Sequence, residues 1–178
     1  MSFDYFYTRE YLPTRYEADD IEWANRRAVW NFKDGNCSPS VLNDLVECID
    51  RIMGNEPTSD YVICFIPAST RSKTMNRYSS VARQLSNRTG VEATLAAITK
   101  DNDSEAQHTG QRSDDPAGDF SFDPDYFRGK KVILIDDVIT RGRTFSSTAR
   151  RLISNGASSV VGLFVAKTVN PDWNSSVA

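Results

Sequence analysis

Residues Val132 to Thr144 read VILIDDVITRGRT. The continuous apolar run, Val132 to Ile135, reads as a strand buried on both faces. It delivers two adjacent carboxylates, Asp136 and Asp137, to its exposed end, where a short loop rich in Thr and Gly leads into a helix. That helix, FSSTARRLISNG, has Gly156 at its end, and SVVGLFVA returns as a further strand.

The same order stands upstream. From Tyr61, YVICFIP is an apolar run bounded by polar residues, and ASTRSKT is a polar, basic turn. Met75, Tyr78, Val81, Ala82 and Leu85 then form a helical stripe ending near Gly90, and VEATLAA can return as a strand. Two such strand–loop–helix–strand units imply right-handed crossovers and an α/β fold, a parallel sheet flanked by helices. Ligands of such sheets bind at the carboxyl ends of the strands, where both ASTRSKT and DDVITRGRT fall.

Outward from these units the chain is less regular. Ser38 as N-cap, Pro39 at the first helical position, Val41, Leu42, Leu45, Val46, Ile49 and Ile52 at helical spacing, and Gly54 as stop define a packing helix. Residues 1–35 mix aromatics with charges, and EADDIEWANRRAVWNF fits a helix with Ile21, Ala24, Ala28 and Val29 on one face. Residues 98–128 show little periodicity and hold eight acidic against three basic residues, a net of −5. An unstructured stretch of this length is uncommon in a compact domain and is expected to be a lid or disordered.

At 178 residues the chain suits one domain with one site. Its net charge of −3 provides no global field toward nucleic acid or anionic membrane, so anion binding has to be local. Cys37, Cys48 and Cys64 show no spacing for a disulfide framework or a zinc site and read as buried thiols. No basic start precedes an apolar stretch, and no apolar run is long enough to span a bilayer, so a cytoplasmic location is expected.

The chemistry concentrates at the two loops. Asp136 and Asp137 can accept hydrogen bonds from sugar hydroxyls or hold a hydrated Mg²⁺ together with substrate oxygens. The backbone N–H groups of the following loop and the helix N-terminus cradle a phosphate, with Thr140 and Thr144 as added donors and Gly142 allowing close backbone approach. A ribose diol bearing a 5′-phosphate satisfies both halves; the bland alternative is an ordinary strand–helix turn with a solvated Asp pair. Between Tyr61 and Val91 stand Arg71, Lys73, Arg77, Arg83 and Arg88 with no acid. Arg71 and Lys73 are the expected anion contacts, and the later arginines are read as a solvated helix face.

Four apolar residues, two acids, two apolar residues and T-x-G-x-T resemble the phosphoribosyl-pyrophosphate motif of the type I phosphoribosyltransferases. The resemblance covers about residues 58–168 and is nearest to ComF-like and amidophosphoribosyltransferase-like domains, through IPASTRSKTMNRYSSVARQLS with Asn76, Gln107 and Arg112 in the variable stretch, and LFVAKT. It implies a Rossmann-like core at 58–168, an N-terminal helical segment at 1–57 contributing to a small variable hood, a lid-like insert at 98–128 and a tail at 169–178. It implies Mg²⁺, 5-phosphoribosyl 1-pyrophosphate (PRPP) as donor, and transfer of the phosphoribosyl group to a nitrogen acceptor; a homodimer is compatible with it. Asp136 and Asp137 would hold the ribose and, through substrate or water, the metal. Thr140, Arg141, Gly142, Arg143 and Thr144 would hold the 5′-phosphate, and Ala68, Ser69, Thr70, Arg71, Ser72 and Lys73 the pyrophosphate, with Arg71 and Lys73 assisting catalysis.

Lys167 and Trp173 are the acceptor candidates, and Tyr11, Tyr16, Trp23 and Trp30 could stack a base or pack. Lys100, His108 or Arg112 would reach inward from the lid. Two departures narrow the expectation: the N-terminal zinc-binding cysteines of ComF proteins are missing, and Thr140 stands where purine-salvage members carry an acid. A threonine is no base near neutral pH, so six-oxopurine salvage is disfavoured. The alternative function is that of a non-catalytic homologue acting as a metabolite-sensing regulator or as a competence-type, ComF-like protein.

Overall fold

A computed structural model describes residues 1–101 and 114–172. Strand β6 (Lys131–Ile139) lies at the centre of a parallel sheet, between β2 (Tyr61–Phe65) and β7 (Ser159–Thr168), with β3 (Glu92–Ala93) and β1 (Tyr5–Tyr11) at the two edges. The order is β1-β7-β6-β2-β3. Both faces are covered, which is why β2 is buried at all five positions. Ile63, Phe65, Ile133, Ile135, Leu163 and Val165 point into one core, under helices α1 (Asp20–Lys33), α2 (Pro39–Met53) and α3 (Arg71–Thr89). Val62, Cys64, Val132, Leu134 and Phe164 point into the other, under α4 (Arg143–Ser154) and an antiparallel ribbon, β4 (Ile98–Lys100) with β5 (Phe120–Phe122).

The local signals for α2 hold. Ser38 Oγ accepts from the Val41 N–H at 3.3 Å, Pro39 opens the helix, and Val41, Leu42, Leu45, Val46 and Ile49 are buried, with Met53 rather than Ile52 completing the stripe. On α3 the stripe is Thr74, Tyr78, Val81, Ala82 and Leu85, while Met75 is 49% exposed.

Four expectations are corrected. Residues 5–11 form a strand, paired with β7 from Tyr5 opposite Gly162 to Tyr11 opposite Thr168; its solvent-facing edge gave no clean alternation to read. Helix α1 buries Arg26, Val29 and Phe32, whereas Ile21 is 72% exposed. Arg26 faces inward because its guanidinium donates to the carbonyls of Leu12, Pro13 and Tyr16, each at 2.8 Å. Such a residue is invisible to a count of apolar positions, yet its burial is compensated donor by donor.

The 98–128 stretch is not structureless at its ends: β4 and β5 pair there, and Ala117, Phe120 and Phe127 enter the second core. Gln107, His108 and Arg112 lie outside the described residues, and Lys100 pairs with Asp119 at 3.3 Å across the ribbon. Finally, α3 begins at Arg71, with Thr70 Oγ1 accepting from the Lys73 N–H at 3.1 Å, so Arg71, Ser72 and Lys73 form a helical first turn rather than a loop.

All three cysteines are free. Burial pushes the Cys64 thiol up to about 12, which leaves it unreactive, and Cys37 and Cys48 are only half-buried. Among the described residues no helix is long and apolar enough to cross a membrane.

Candidate active site at the carboxyl edge of the sheet

Strand β6 does not end at Ile135. It continues through the acidic pair, with Asp136 opposite Phe164, Val138 opposite Ala166 and Ile139 opposite Lys167. Side-chain alternation breaks here: Ile135 and Val138 both pack in the first core, and Ile139 joins Leu134 in the second. Both carboxylates consequently meet groups delivered by α1 and α3. Asp136 Oδ1 lies 2.9 Å from the Tyr78 hydroxyl and accepts the Asp137 N–H at 2.8 Å. Arg77 Nη1 stands 3.7 Å from Asp136 Oδ1 and 4.0 Å from Asp137 Oδ2, and Lys33 Nζ stands 3.7 Å from Asp137 Oδ2.

Burial, with Asp137 alongside, pushes the Asp136 carboxyl well above the usual carboxylate range. Burial and the neighbouring Asp136 likewise push the Tyr78 hydroxyl upward, so it is a neutral donor. That hydroxyl also lies 2.9 Å from the Ile66 carbonyl and has a single proton for two acceptors.

Beyond the acids, Thr140 Oγ1 shares a hydrogen bond of 2.7 Å with Thr168 Oγ1, which ties the end of β6 to the end of β7. Gly142 precedes α4 with φ +70°, a left-handed conformation that a side chain would strain, and no side chain caps the helix. The helix start is therefore left to an outside acceptor. Asp136, Ile139, Thr140, Arg141, Gly142, Arg143 and Thr144 line one cavity of about 330 Å³. Asp136 and the phosphate-loop candidates thus converge on a single space, whereas Asp137, beside Lys33, does not line it.

The other predicted loop divides in two. Ala68 and Thr70 are buried and structural: the Ala68 N–H donates to Thr74 Oγ1 at 2.9 Å, and Thr70 caps α3. Ser69, Arg71, Ser72 and Lys73 are exposed on the adjoining turn. Arg71 lines a separate cavity of about 470 Å³ with Pro67, Met75, Leu95 and Lys100.

Lys167 Nζ lies over the rings of Tyr5 and Tyr7, at 5.4 and 5.6 Å, the first and third residues of β1, which pair with Gly162 and Phe164. Trp173 lies outside the described residues. Trp23 and Trp30 are partly exposed and meet edge to face at 6.2 Å, Tyr11 accepts from the Trp30 indole, and the Tyr16 hydroxyl reaches Asn170 at 2.6 Å and Asp172.

Sequence reasoning missed Lys33, Arg77 and Tyr78. Arg77 was expected on a solvated helix face, but its side chain is only 15% exposed and points to the acids; Arg83 and Arg88 do lie on the exposed face. The available signal was its place beside Tyr78 in the stripe. Among the described residues no three His, Cys, Asp or Glu gather as a metal cage. Two adjacent carboxylates nonetheless suit Mg²⁺, which keeps waters and takes its remaining ligands from substrate oxygens.

Fold and edge together define a class: a doubly covered parallel α/β protein whose candidate site opens at the carboxyl ends of neighbouring strands. The chain belongs to the phosphoribosyl transferase domain family, whose model matches residues 75–171. Among solved structures, the allosteric regulatory enzyme of purine biosynthesis is similar at 19% identity and a TM-score of 0.51, covering 77% of this chain and 30% of that one. This chain therefore spans under a third of that enzyme's length. An adenine phosphoribosyltransferase is similar at 16% identity and TM-score 0.46, over 79% of this chain and 78% of that one. A hypoxanthine-guanine phosphoribosyltransferase from Bacillus anthracis is similar at 12% identity and TM-score 0.44, over 81% and 70%. No curated protein matches this sequence.

Proposed function

We propose that the chain binds PRPP at this edge and transfers its phosphoribosyl group to a nitrogen nucleophile, releasing pyrophosphate. The observation that carries it is the convergence of Asp136 and the Thr140–Thr144 turn on one cavity of about 330 Å³. Asp136 and Asp137 hold the ribose hydroxyls, and the uncapped start of α4, with Thr140 and Thr144, holds the 5′-phosphate. Ser69 to Lys73, the turn that opens α3, is the expected seat of the pyrophosphate, where Arg71 and Lys73 meet the negative charge that grows as the bond to the anomeric carbon breaks. Asp136 and Asp137 would hold Mg²⁺ through substrate oxygens and water; when bound, it supplies charge neutralisation for the departing diphosphate.

Before the donor arrives, Arg77 and Lys33 partly neutralise the acids and Tyr78 orients Asp136. The acceptor is a nitrogen base or amine, with Lys167 and Trp173 as candidate contacts. Calorimetry with PRPP and Mg²⁺ tests the reading: binding is expected in the wild type and lost in the Asp136→Asn/Asp137→Asn double variant. Absence of wild-type binding overturns it. A pyrophosphate-release screen over nucleobases and amines then identifies the acceptor, and silence across it with binding retained would favour a regulator.

A further inference from the structure

The turn at Arg141–Gly142–Arg143 is a wall with two faces. Its front lines the cavity that contains Asp136, and its back lines another of about 540 Å³ with Asp114, Asp115, Ser146, Ser147, Arg150 and Arg151. Four arginines against two acids give that outer cavity a surplus of positive charge. Asp115 is engaged by the Ser147 hydroxyl and the Ala117 N–H, which with the nearby Arg151 and Arg150 hold its carboxyl low. Arg151 is held by the Ala117 carbonyl and the Phe122 ring, 4.6 Å away. Arg141 and Arg143, by contrast, have no side-chain hydrogen bond or ion pair among the described residues.

We propose that this outer cavity is a second anion site that takes a polyphosphate chain, free or carried by a nucleoside. Arg143 and Arg150 lie seven residues apart on α4, about 10 Å along its axis, too far for one phosphate and suited to two or three in a row. Arginine forks match phosphate oxygens bidentately. Ser146 lines the floor between them. Because Arg141 and Arg143 belong to both faces, an anion bound behind the turn biases the turn that receives the ribose phosphate. That coupling rests on the PRPP reading; occupancy of the outer cavity does not.

The test is calorimetry on the full chain with inorganic tripolyphosphate and, separately, ATP, each with and without saturating PRPP and Mg²⁺. The expected result is tripolyphosphate binding that persists with PRPP bound and weakens about tenfold or more in Arg150→Glu, while PRPP affinity in that variant is unchanged. Tighter binding of ATP assigns the site to a nucleotide; equal binding assigns it to the polyphosphate alone. Complete competition with PRPP, or an Arg150→Glu variant that binds tripolyphosphate like wild type, overturns the proposal. If PRPP fails to bind while the Arg150 dependence stands, the catalytic reading falls and the outer site survives. Ser146→Asp, which adds a carboxylate to the same floor, repeats the test should Arg150→Glu not fold.

Discussion

Replacing Tyr78 with Phe removes one oxygen from the centre of the site. The ring itself is fully buried, 4.7 Å from Phe65 and 6.2 Å from Phe32, and a phenyl ring keeps both contacts. What changes is hydrogen bonding. The Ile66 carbonyl and Asp136 Oδ1, each 2.9 Å from the hydroxyl, lose the single proton they share; Asp136 retains the Asp137 N–H, whereas Ile66 lies in the interior. Leaving a buried acceptor unpaired costs about 1–3 kcal/mol, so unfolding free energy in urea should fall by about 2 kcal/mol. For a domain of this size that corresponds to a drop of about 4–8 °C in Tm. Tyr78 touches no substrate atom in the proposed complex and acts through Asp136 as a positioning residue. PRPP affinity should fall by about tenfold, equivalent to ~1.4 kcal/mol of lost orientation. A Tyr78→Phe protein with wild-type stability and wild-type PRPP affinity would show that this hydroxyl does not organise the site.

Asp136→Asn should separate stability from function. Because the folded protein holds the Asp136 proton above the ordinary value of 3.8, it binds more protons than the unfolded chain there, and its stability declines as pH rises through that window. The asparagine variant should lose this decline and be no less stable at neutral pH, measured by urea unfolding across pH, while PRPP binding disappears. In Gly162→Ala the new methyl would meet Phe145 and Phe164 carbons at 2.8 Å. Overpacking of this kind costs about 1–3 kcal/mol, and thermal melts should show it together with weaker PRPP binding, since Phe145 follows Thr144. Arg26→Leu strands the carbonyls of Leu12, Pro13 and Tyr16, and should cost about 3 kcal/mol or more with faster proteolysis near residue 13. Retention of wild-type melting would show that water replaces the guanidinium.

What was legible in the sequence was what local chemistry dictates. Ser38-Pro39 and Gly54 bracket α2 because caps and breakers act within a few residues, and the runs at Tyr61 and Val132 declared strands covered on both faces. The acid pair and the Thr-Gly turn were legible for the same reason. Arg77, Lys33 and Tyr78 were not, because their role depends on α1 and α3 arriving from elsewhere in the chain at the end of β6. Strand β1 escaped because its partner lies more than 150 residues away and its alternation is blurred at the sheet's edge.

The placement of β1 also bears on how this chain could be re-engineered. Exchanging the first 57 residues for those of a relative, to import a different acceptor preference, would not be a swap of an appendage. It would strip β7 of one of its two parallel neighbours and remove α1 and α2 from the first core. It would also break the seam where Gly35 closes on Asn76, an approach so tight that a methyl on Gly35 would lie 2.2 Å from the Asn76 carbonyl oxygen. The transferable unit is therefore discontinuous: β1, α1 and α2 travel together with the opening of α3, and a graft cut at any single loop divides a surface that folds as one.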